Sequence, residues 1–377
     1  MKSKIKFLAY YLPQYHQIPE NDQWWEPGFT EWTNVTKAKP LFKGHHQPNL
    51  PSELGFYDLR VPDVQRKQSN LALEHGLDGF IYYQYWFGNG KMLLEKPAEM
   101  MLKDDKITIP FCFCWANESW RGVMHGLDRH KILIEQTYSG EKDYIDYFNY
   151  LIPFFKDDRY IKINDCPMFH IYRIDDIPDP EVFFSIFEEM AIKNGFKGMY
   201  FVATGNVNSK AVTENESIKG VVGLDIFKKL RYNKYHKFSE GTFLHRLEKL
   251  WNQLLGESDQ LEKRRRPMLL DYEKGLDAMQ IHFPHEKYIP SVLPNWDNSP
   301  RSKNQSMVLI NSSPTNFEIA FTKFAQQLKN HPENPPFIVI KSWNEWAEGN
   351  YLEPDRTYGR GWLQAVKNVK MMLLSEY

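Results

Sequence analysis

Short apolar runs alternate with longer amphipathic stretches along the whole 377-residue chain. Runs near residues 7–12, 79–83, 109–114, 168–172, 199–203, 221–224, 288–293 and 337–341 are dense in β-branched and aromatic side chains. Short runs of this kind, bounded by turn residues, predict buried strands. Between them, apolar positions recur every three to four residues over about 61–75, 91–102, 141–155, 180–194, 241–255, 316–329 and 361–374, which predicts helices. Eight strands alternating with helices predict an α/β fold, a (β/α)8 TIM barrel with elaborated βα loops, as a single domain over residues 1–377. No Gly-x-Gly-x-x-Gly follows a strand, which argues against a doubly wound dinucleotide fold.

Two connections exceed the usual length. One, about 225–285, is polar and basic (Lys228-Lys229-Leu230-Arg231) and reads as an insertion. The other, from Gln14 to Leu59, is rich in Trp, Pro, Gly and His and suits a structured loop over a site. In a barrel of this kind, the chemistry belongs just after the strands, at their C-terminal rim. Polar and aromatic residues collect there. Tyr11, Gln14, Tyr15 and His16 follow the first strand, and Gln84, Tyr85 and Trp86 the second. Trp115, Asn117, Glu118 and Trp120 follow the third, and Asn295, Trp296, Asp297 and Arg301 the seventh.

The eighth is the most informative. Its apolar run ends in Trp343-Asn344-Glu345-Trp346-Ala347-Glu348-Gly349. Two carboxylates three residues apart, set between tryptophans and closed by a glycine able to take a positive φ, differ from the Glu-x-x-Glu of a solvated helix face. Aromatic faces stack on the C–H faces of sugar rings, and paired acids supply the proton transfers of glycosidic bond cleavage. Glu345 and Glu348 are therefore the catalytic candidates. Tyr11, Trp86, Trp115, Asn117, Glu118, Asn295, Trp296, Asp297, Trp343, Asn344 and Trp346 are the candidates for binding substrate. Glu118 either holds a sugar hydroxyl or orients Asn117, and Asp297 either meets substrate or pairs with Arg301. His16, His45 and His46 read as loop hydrogen-bonding groups, and Glu353, followed by Pro354, as a loop terminator.

Composition narrows the partners. Apolar residues make up 42% and charged residues 25%, and the net charge is −1, so nothing electrostatic recommends nucleic acid or an anionic membrane. No stretch approaches the length of a membrane span, so no integral membrane association is expected. Aromatics are abundant, with 11 Trp, 21 Tyr and 25 Phe. Cys112, Cys114 and Cys166 make no disulfide framework and no metal-ligand pattern, so no metal and no cofactor are expected. The early apolar run ends at Pro13 without a small-residue cleavage site, and a reduced, cytoplasmic protein is the simplest expectation.

The motif Trp343–Gly349 with Tyr351-Leu352-Glu353-Pro354 resembles the signature of the WbsX-type family, described as glycosyltransferase-like and related to glycoside hydrolase family 99, the endo-α-mannosidases and mannanases. Tyr10-Tyr11-Leu12-Pro13-Gln14-Tyr15-His16, Gly28-Phe29-Thr30-Glu31-Trp32-Thr33-Asn34-Val35, Leu54-Gly55-Phe56-Tyr57-Asp58-Leu59-Arg60, Trp115-Ala116-Asn117-Glu118 and Pro294-Asn295-Trp296-Asp297 resemble further family motifs. The resemblance covers nearly the whole chain. It implies a retaining (β/α)8 enzyme in which the first glutamate, Glu345, deprotonates the sugar's own 2-hydroxyl to form a 1,2-anhydro sugar. The second, Glu348, protonates the leaving oxygen and then activates water. Ala347 stands where the mannosidases carry His, which bears on sugar specificity more than on the acids.

Three functions follow as expectations. The first is a glycan-cleaving or transglycosylating enzyme acting on a bacterial surface polysaccharide or its intermediates. The second is a glycosyltransferase of O-antigen or capsule assembly, for which no suitably placed Asp-x-Asp and no phosphate loop stand in the sequence. The third is a catalytically silent carbohydrate-binding barrel. The partner in each case is an oligosaccharide or polysaccharide.

Overall fold

A computed structural model of the chain describes residues 5–122, 131–223, 266–276, 285–331 and 337–375. Its centre is a parallel barrel built from β1 (Lys6–Tyr11), β2 (Gly79–Trp86), β3 (Phe111–Trp115), β4 (Cys166–Ile171), β5 (Tyr200–Gly205), β6 (Ile218–Gly223), β7 (Tyr288–Ile289 and Ser291–Val292) and β8 (Phe337–Ile340). Neighbours in sequence are neighbours in the sheet, and β8 returns to β1 with Phe7 beside Ile338. β7 is one strand position interrupted at Pro290. Its first half pairs with β6 and its second with β8, which closes the circle. A proline cannot donate to the ladder, so the interruption falls where the chain has no N–H to offer.

The helices α1 (Pro62–Glu74), α2 (Lys96–Lys103), α3 (Glu141–Phe155), α4 (Pro180–Lys193), α5 (Pro314–Lys329) and α6 (Gly361–Ser375) alternate with the strands. Both faces of each barrel strand are buried. All eight residues of β2 and all five of β3 are buried, as expected where helices cover a closed parallel sheet. Large aromatics fill the layer between strands and helices: Phe7 meets Phe321, Trp115 meets Tyr147 and Phe183, and Phe201 meets Phe184.

The periodicity misplaces a few elements. The helix expected from residue 91 begins at Lys96, because Met92–Leu93 fold back as a short antiparallel partner of Tyr85–Trp86. A parallel pair outside the barrel, Met268–Asp271 with Met307–Ile310, is not signalled by the alternation. The helix expected near 241–255 lies outside the described residues. Among the described residues, no helix is long and apolar enough to cross a membrane.

Candidate functional site

The segment after β8 turns sharply, and its geometry follows from a few side chains. Ser342 Oγ donates to Asn350 O at 2.6 Å and accepts from Glu345 N, closing the hairpin of Asn344–Glu345 with Asn350–Tyr351. Asn344 spends its amide on the end of β1. Its Oδ1 accepts from Leu12 N at 2.8 Å, and its Nδ2 donates to Leu12 O at 3.0 Å. Gly349 has φ +54°, and a Cβ there would meet the backbone of Asp297 at 2.8 Å. That approach lets Asp297 N donate to Glu348 O at 2.7 Å. The positive φ read from the sequence thus comes with a packing reason. The turn carries Glu345 and Glu348 to one wall of a cleft at the C-terminal mouth of the barrel.

The two carboxyls sit in unequal company. Arg301 Nη1 donates to Glu348 Oε1 at 2.8 Å, and its Nη2 lies 3.0 Å from Glu31 Oε2. Glu31 is 1% exposed, so this is a buried Glu–Arg–Glu bridge over an exchange between the first and seventh loops. Burial opposes ionisation of Glu348, but Arg301 and then Lys341 outweigh it and hold that carboxyl below its ordinary value. Glu345 is raised instead, first by burial and then by the negative Glu348, with Lys341 and Arg301 pulling the other way. The second oxygen of Glu348 is buried and meets no N–H or O–H donor among the described residues. A proton on Glu345 supplies one, and the two carboxyls lie close enough to share it. Burial and mutual repulsion thus favour a single proton between the two acids, with Glu345 the member raised and Glu348 the member lowered.

The rest of the cleft is aromatic and cationic. Tyr83 and Tyr85 come from β2, Tyr172 follows β4, and Trp25 and Trp120 come from the loops. Tyr83 stacks on Tyr10 at 5.1 Å, which fixes its ring within the barrel mouth. Gln14, Glu118 and Lys341 complete the polar lining. Glu118 forms an ion pair with Arg173 at 3.1 Å. It does not orient Asn117, which is bound by Tyr138 Oη and the backbone of Arg173.

Of the catalytic and substrate-binding candidates read from the sequence, Glu118, Glu345 and Glu348 come together in this cleft. The others lie behind its wall. Tyr11 turns outward and donates to Gln68 on α1. Trp86 donates to Asp143 on α3 and stacks on Tyr147, and Trp115 donates to Trp86 O. In each strand the cleft is lined by an adjacent residue, Leu12, Tyr85 or Ala116, because side chains alternate across the strand. Trp343 is fully buried against Phe80, and Trp346 stacks on Tyr351 at 3.8 Å. Asn295 accepts from Tyr351 N, and Trp296 lies 5.5 Å beneath the Lys341 ammonium. Asp297 does not pair with Arg301. It accepts from Gln47, bonds His45 at 2.7 Å and caps Ser299, while Arg301 goes to Glu31 and Glu348. His16 is buried, and burial lowers it to about 4. Glu353 does more than end a loop: it accepts from Trp346 Nε1 and Gln68 Nε2, both at 2.7 Å, and from Tyr57 Oη at 2.9 Å.

Glu31, Lys341 and Tyr83 are the residues the motif reading passes over. Glu31 stands in the first turn of a short helix after Thr30, where an acid ordinarily serves the helix end. Lys341 closes an apolar strand and looks like its solvent stop. Tyr83 shares the face of Tyr85 by the two-residue period, which was signal enough.

A family model described as Glycosyltransferase WbsX matches residues 7–366. A protein of Xanthomonas campestris pv. campestris named Uncharacterized protein WxcX is 35% identical over 361 residues, 96% of this chain and 49% of its own length. The chain thus spans about half the length of the curated relatives it matches. Among solved structures, the GH99 endo-alpha-mannosidase of Bacteroides thetaiotaomicron superposes with a TM-score of 0.55 at 14% identity. The match covers 98% of this chain and 97% of that one. A glycoside hydrolase-like protein superposes with a TM-score of 0.56 at 11% identity, over 98% and 95% of the two chains. At these identities the superpositions establish the fold, a TIM barrel of the GH99 kind.

Proposed function

The chain belongs to the WbsX glycosyltransferase family, a carbohydrate-active family, and from that premise we propose that it cleaves or transfers glycosidic bonds in a polysaccharide or its intermediates, with Glu345 and Glu348 moving the protons. The observation that carries this reading is a pair of carboxyls, Glu345 and Glu348, side by side in one aromatic-walled cleft at the barrel mouth, with Arg301 on only one of them. Glycosidic cleavage needs one group that gives a proton to the departing oxygen and one that takes a proton from the attacking hydroxyl. A pair poised one proton short of neutral supplies both at once.

In the scheme implied by the family resemblance, Glu345 is the base and Glu348 the acid. The proton of the free site then crosses from Glu345 to Glu348 as substrate seats, and Arg301 turns its charge toward Glu31. Glu345, now ionised, takes the 2-hydroxyl proton while that oxygen bonds to C1. Glu348 gives its proton to the leaving oxygen, which departs with the bonding electrons. Water next opens the anhydro sugar, losing a proton to Glu348, while the 2-oxygen regains its proton from Glu345. Configuration at C1 is retained, and with a sugar hydroxyl in place of water the same steps give transfer. Tyr83, Tyr85, Trp25 and Trp120 are the ring faces available for stacking.

The test is product analysis on capsule and O-antigen fragments. New reducing ends, or transferred oligosaccharide, lost in both Glu345→Gln and Glu348→Gln, support the reading. Dependence on a nucleotide sugar, with release of UDP or GDP, would replace it with the transferase the family description names. Binding without turnover would leave a carbohydrate-binding barrel.

A further inference from the structure

Lys341 is a charge inside this cleft without a partner among the described residues, as is Arg121 at the exposed rim. It ends the β8 run, lines the cleft and is only half-buried. Its ammonium makes no hydrogen bond and no ion pair with any described residue, and it lies over the Trp296 ring at 5.5 Å. The neighbouring charges are committed: Arg301 to Glu31 and Glu348, and Glu118 to Arg173. Glu345 and Glu348 act on Lys341 only through their fields.

The charge balance points the same way. With one proton on the acid pair, Glu31 and Glu348 cancel Arg301 and Lys341, and Glu118 cancels Arg173. Among the described residues, Arg121 at the rim of the cleft then remains as a positive excess. The Tyr172 hydroxyl lies in the field of the same ammonium, Lys341 being its strongest single influence. Lys341 and Tyr172, both in the lining of the cleft, together offer four protons and a positive charge. A neutral sugar has no use for the charge. A sugar carrying an anion does, because charge-assisted hydrogen bonds are roughly twice as strong as neutral ones.

We propose that the cleft selects a glycan bearing a negative group, the carboxylate of a uronic acid or a phosphate, and that Lys341 with the Tyr172 hydroxyl receives it. This rests on the cleft being the glycan site. If Lys341 served only as counter-charge to Glu345 and Glu348, its removal would affect charged and neutral ligands alike.

The experiment uses fragments of galacturonan, alginate and hyaluronan, each against its fully methyl-esterified twin, and phosphorylated against plain mannose. Binding is followed by tryptophan fluorescence in wild type, Lys341→Met and Lys341→Arg, with a thermal melt to confirm folding. Wild type should prefer at least one charged ligand over its neutral twin by about ten- to a hundredfold, the worth of one charge-assisted hydrogen bond. That preference should weaken with salt, collapse to about one in Lys341→Met and persist in Lys341→Arg. The carboxylate and phosphate arms separate the two sources of the anion. Equal binding of charged and neutral twins across the whole panel, or equal loss of both in Lys341→Met, overturns the proposal. Turnover of a neutral glycan, still abolished by Glu345→Gln and Glu348→Gln, would leave the proposed function standing. Binding of no glycan by folded wild type would sink both.

Discussion

Arg301→Gln isolates what keeps the acid pair unequal. Its guanidinium reaches Glu348 at 2.8 Å and Glu31 at 3.0 Å, with side chains 10%, 19% and 1% exposed for Arg301, Glu348 and Glu31. With charge centres about 4 Å apart and an effective dielectric near 20, one such pair is worth roughly 4 kcal/mol. Screening through the exposed edge of Glu348 reduces that. Arg301 lowers both members of the acid pair. Without it both carboxyls hold their protons to higher pH, so both limbs of the kcat/KM profile should move alkaline. The substitution also strands the buried Glu31, and breaking a buried pair costs about 3–5 kcal/mol. Arg301→Gln alone should therefore melt early, while Arg301→Gln with Glu31→Gln should regain most of the stability and keep the alkaline shift. Activity is read as a pH profile on the best glycan substrate and folding by thermal denaturation. A profile that stays in place or moves acid in the stable double variant refutes the electrostatic account of the pair.

Three further outcomes follow from the same geometry. On a substrate with an activated leaving group, Glu348→Gln should recover turnover and Glu345→Gln should not; the reverse pattern makes Glu345 the acid, following the proton of the free site. Burial raises Glu353 from 4.5 to about 7. Stability from its protonated form is therefore present below about pH 4.5 and lost as pH rises through 7, at most roughly 3 kcal/mol. Urea midpoints of Glu353→Gln should fall less than those of wild type between pH 5 and 7.5, and an unchanged slope counts against the assignment. Trp115→Ala should cost about 3–5 kcal/mol of stability, because the ring is 1% exposed and packed behind the cleft. Trp25→Ala, on the cleft wall, should instead weaken glycan binding with little change in the melt; equal effects of the two would erase the distinction between wall and packing.

Where the candidate cleft draws its residues along the chain is legible in the sequence; which way each residue faces is not. Strand ends mark the rim of a barrel, and polar motifs after strands mark the mouth, so Glu118, Glu345 and Glu348 could be picked out before any coordinates. The failure at Tyr11, Trp86 and Trp115 has one cause. In a sheet exposed on one side, polar and apolar residues alternate and announce the faces. Here both faces are buried, and Tyr82-Tyr83-Gln84-Tyr85-Trp86 reads as hydrophobic on each side. A tryptophan that fills the gap to a helix is then indistinguishable from one that stacks on a sugar. Indole size favours the former, since the helix layer has the larger space to fill, and Tyr83 and Tyr85 on the same strand are left facing the mouth. The bridge from Glu31 through Arg301 to Glu348 escapes for a different reason. Its members are 270 and 47 residues apart, and each has a nearer, plausible local role: a helix-end acid for Glu31 and an i+4 partner of Asp297 for Arg301. Asp297 is already satisfied by His45 and Gln47. That leaves the arginine free to cross to the acid pair, so the loop after β1 sets the protonation of the turn after β8 by withholding one carboxylate from its obvious partner.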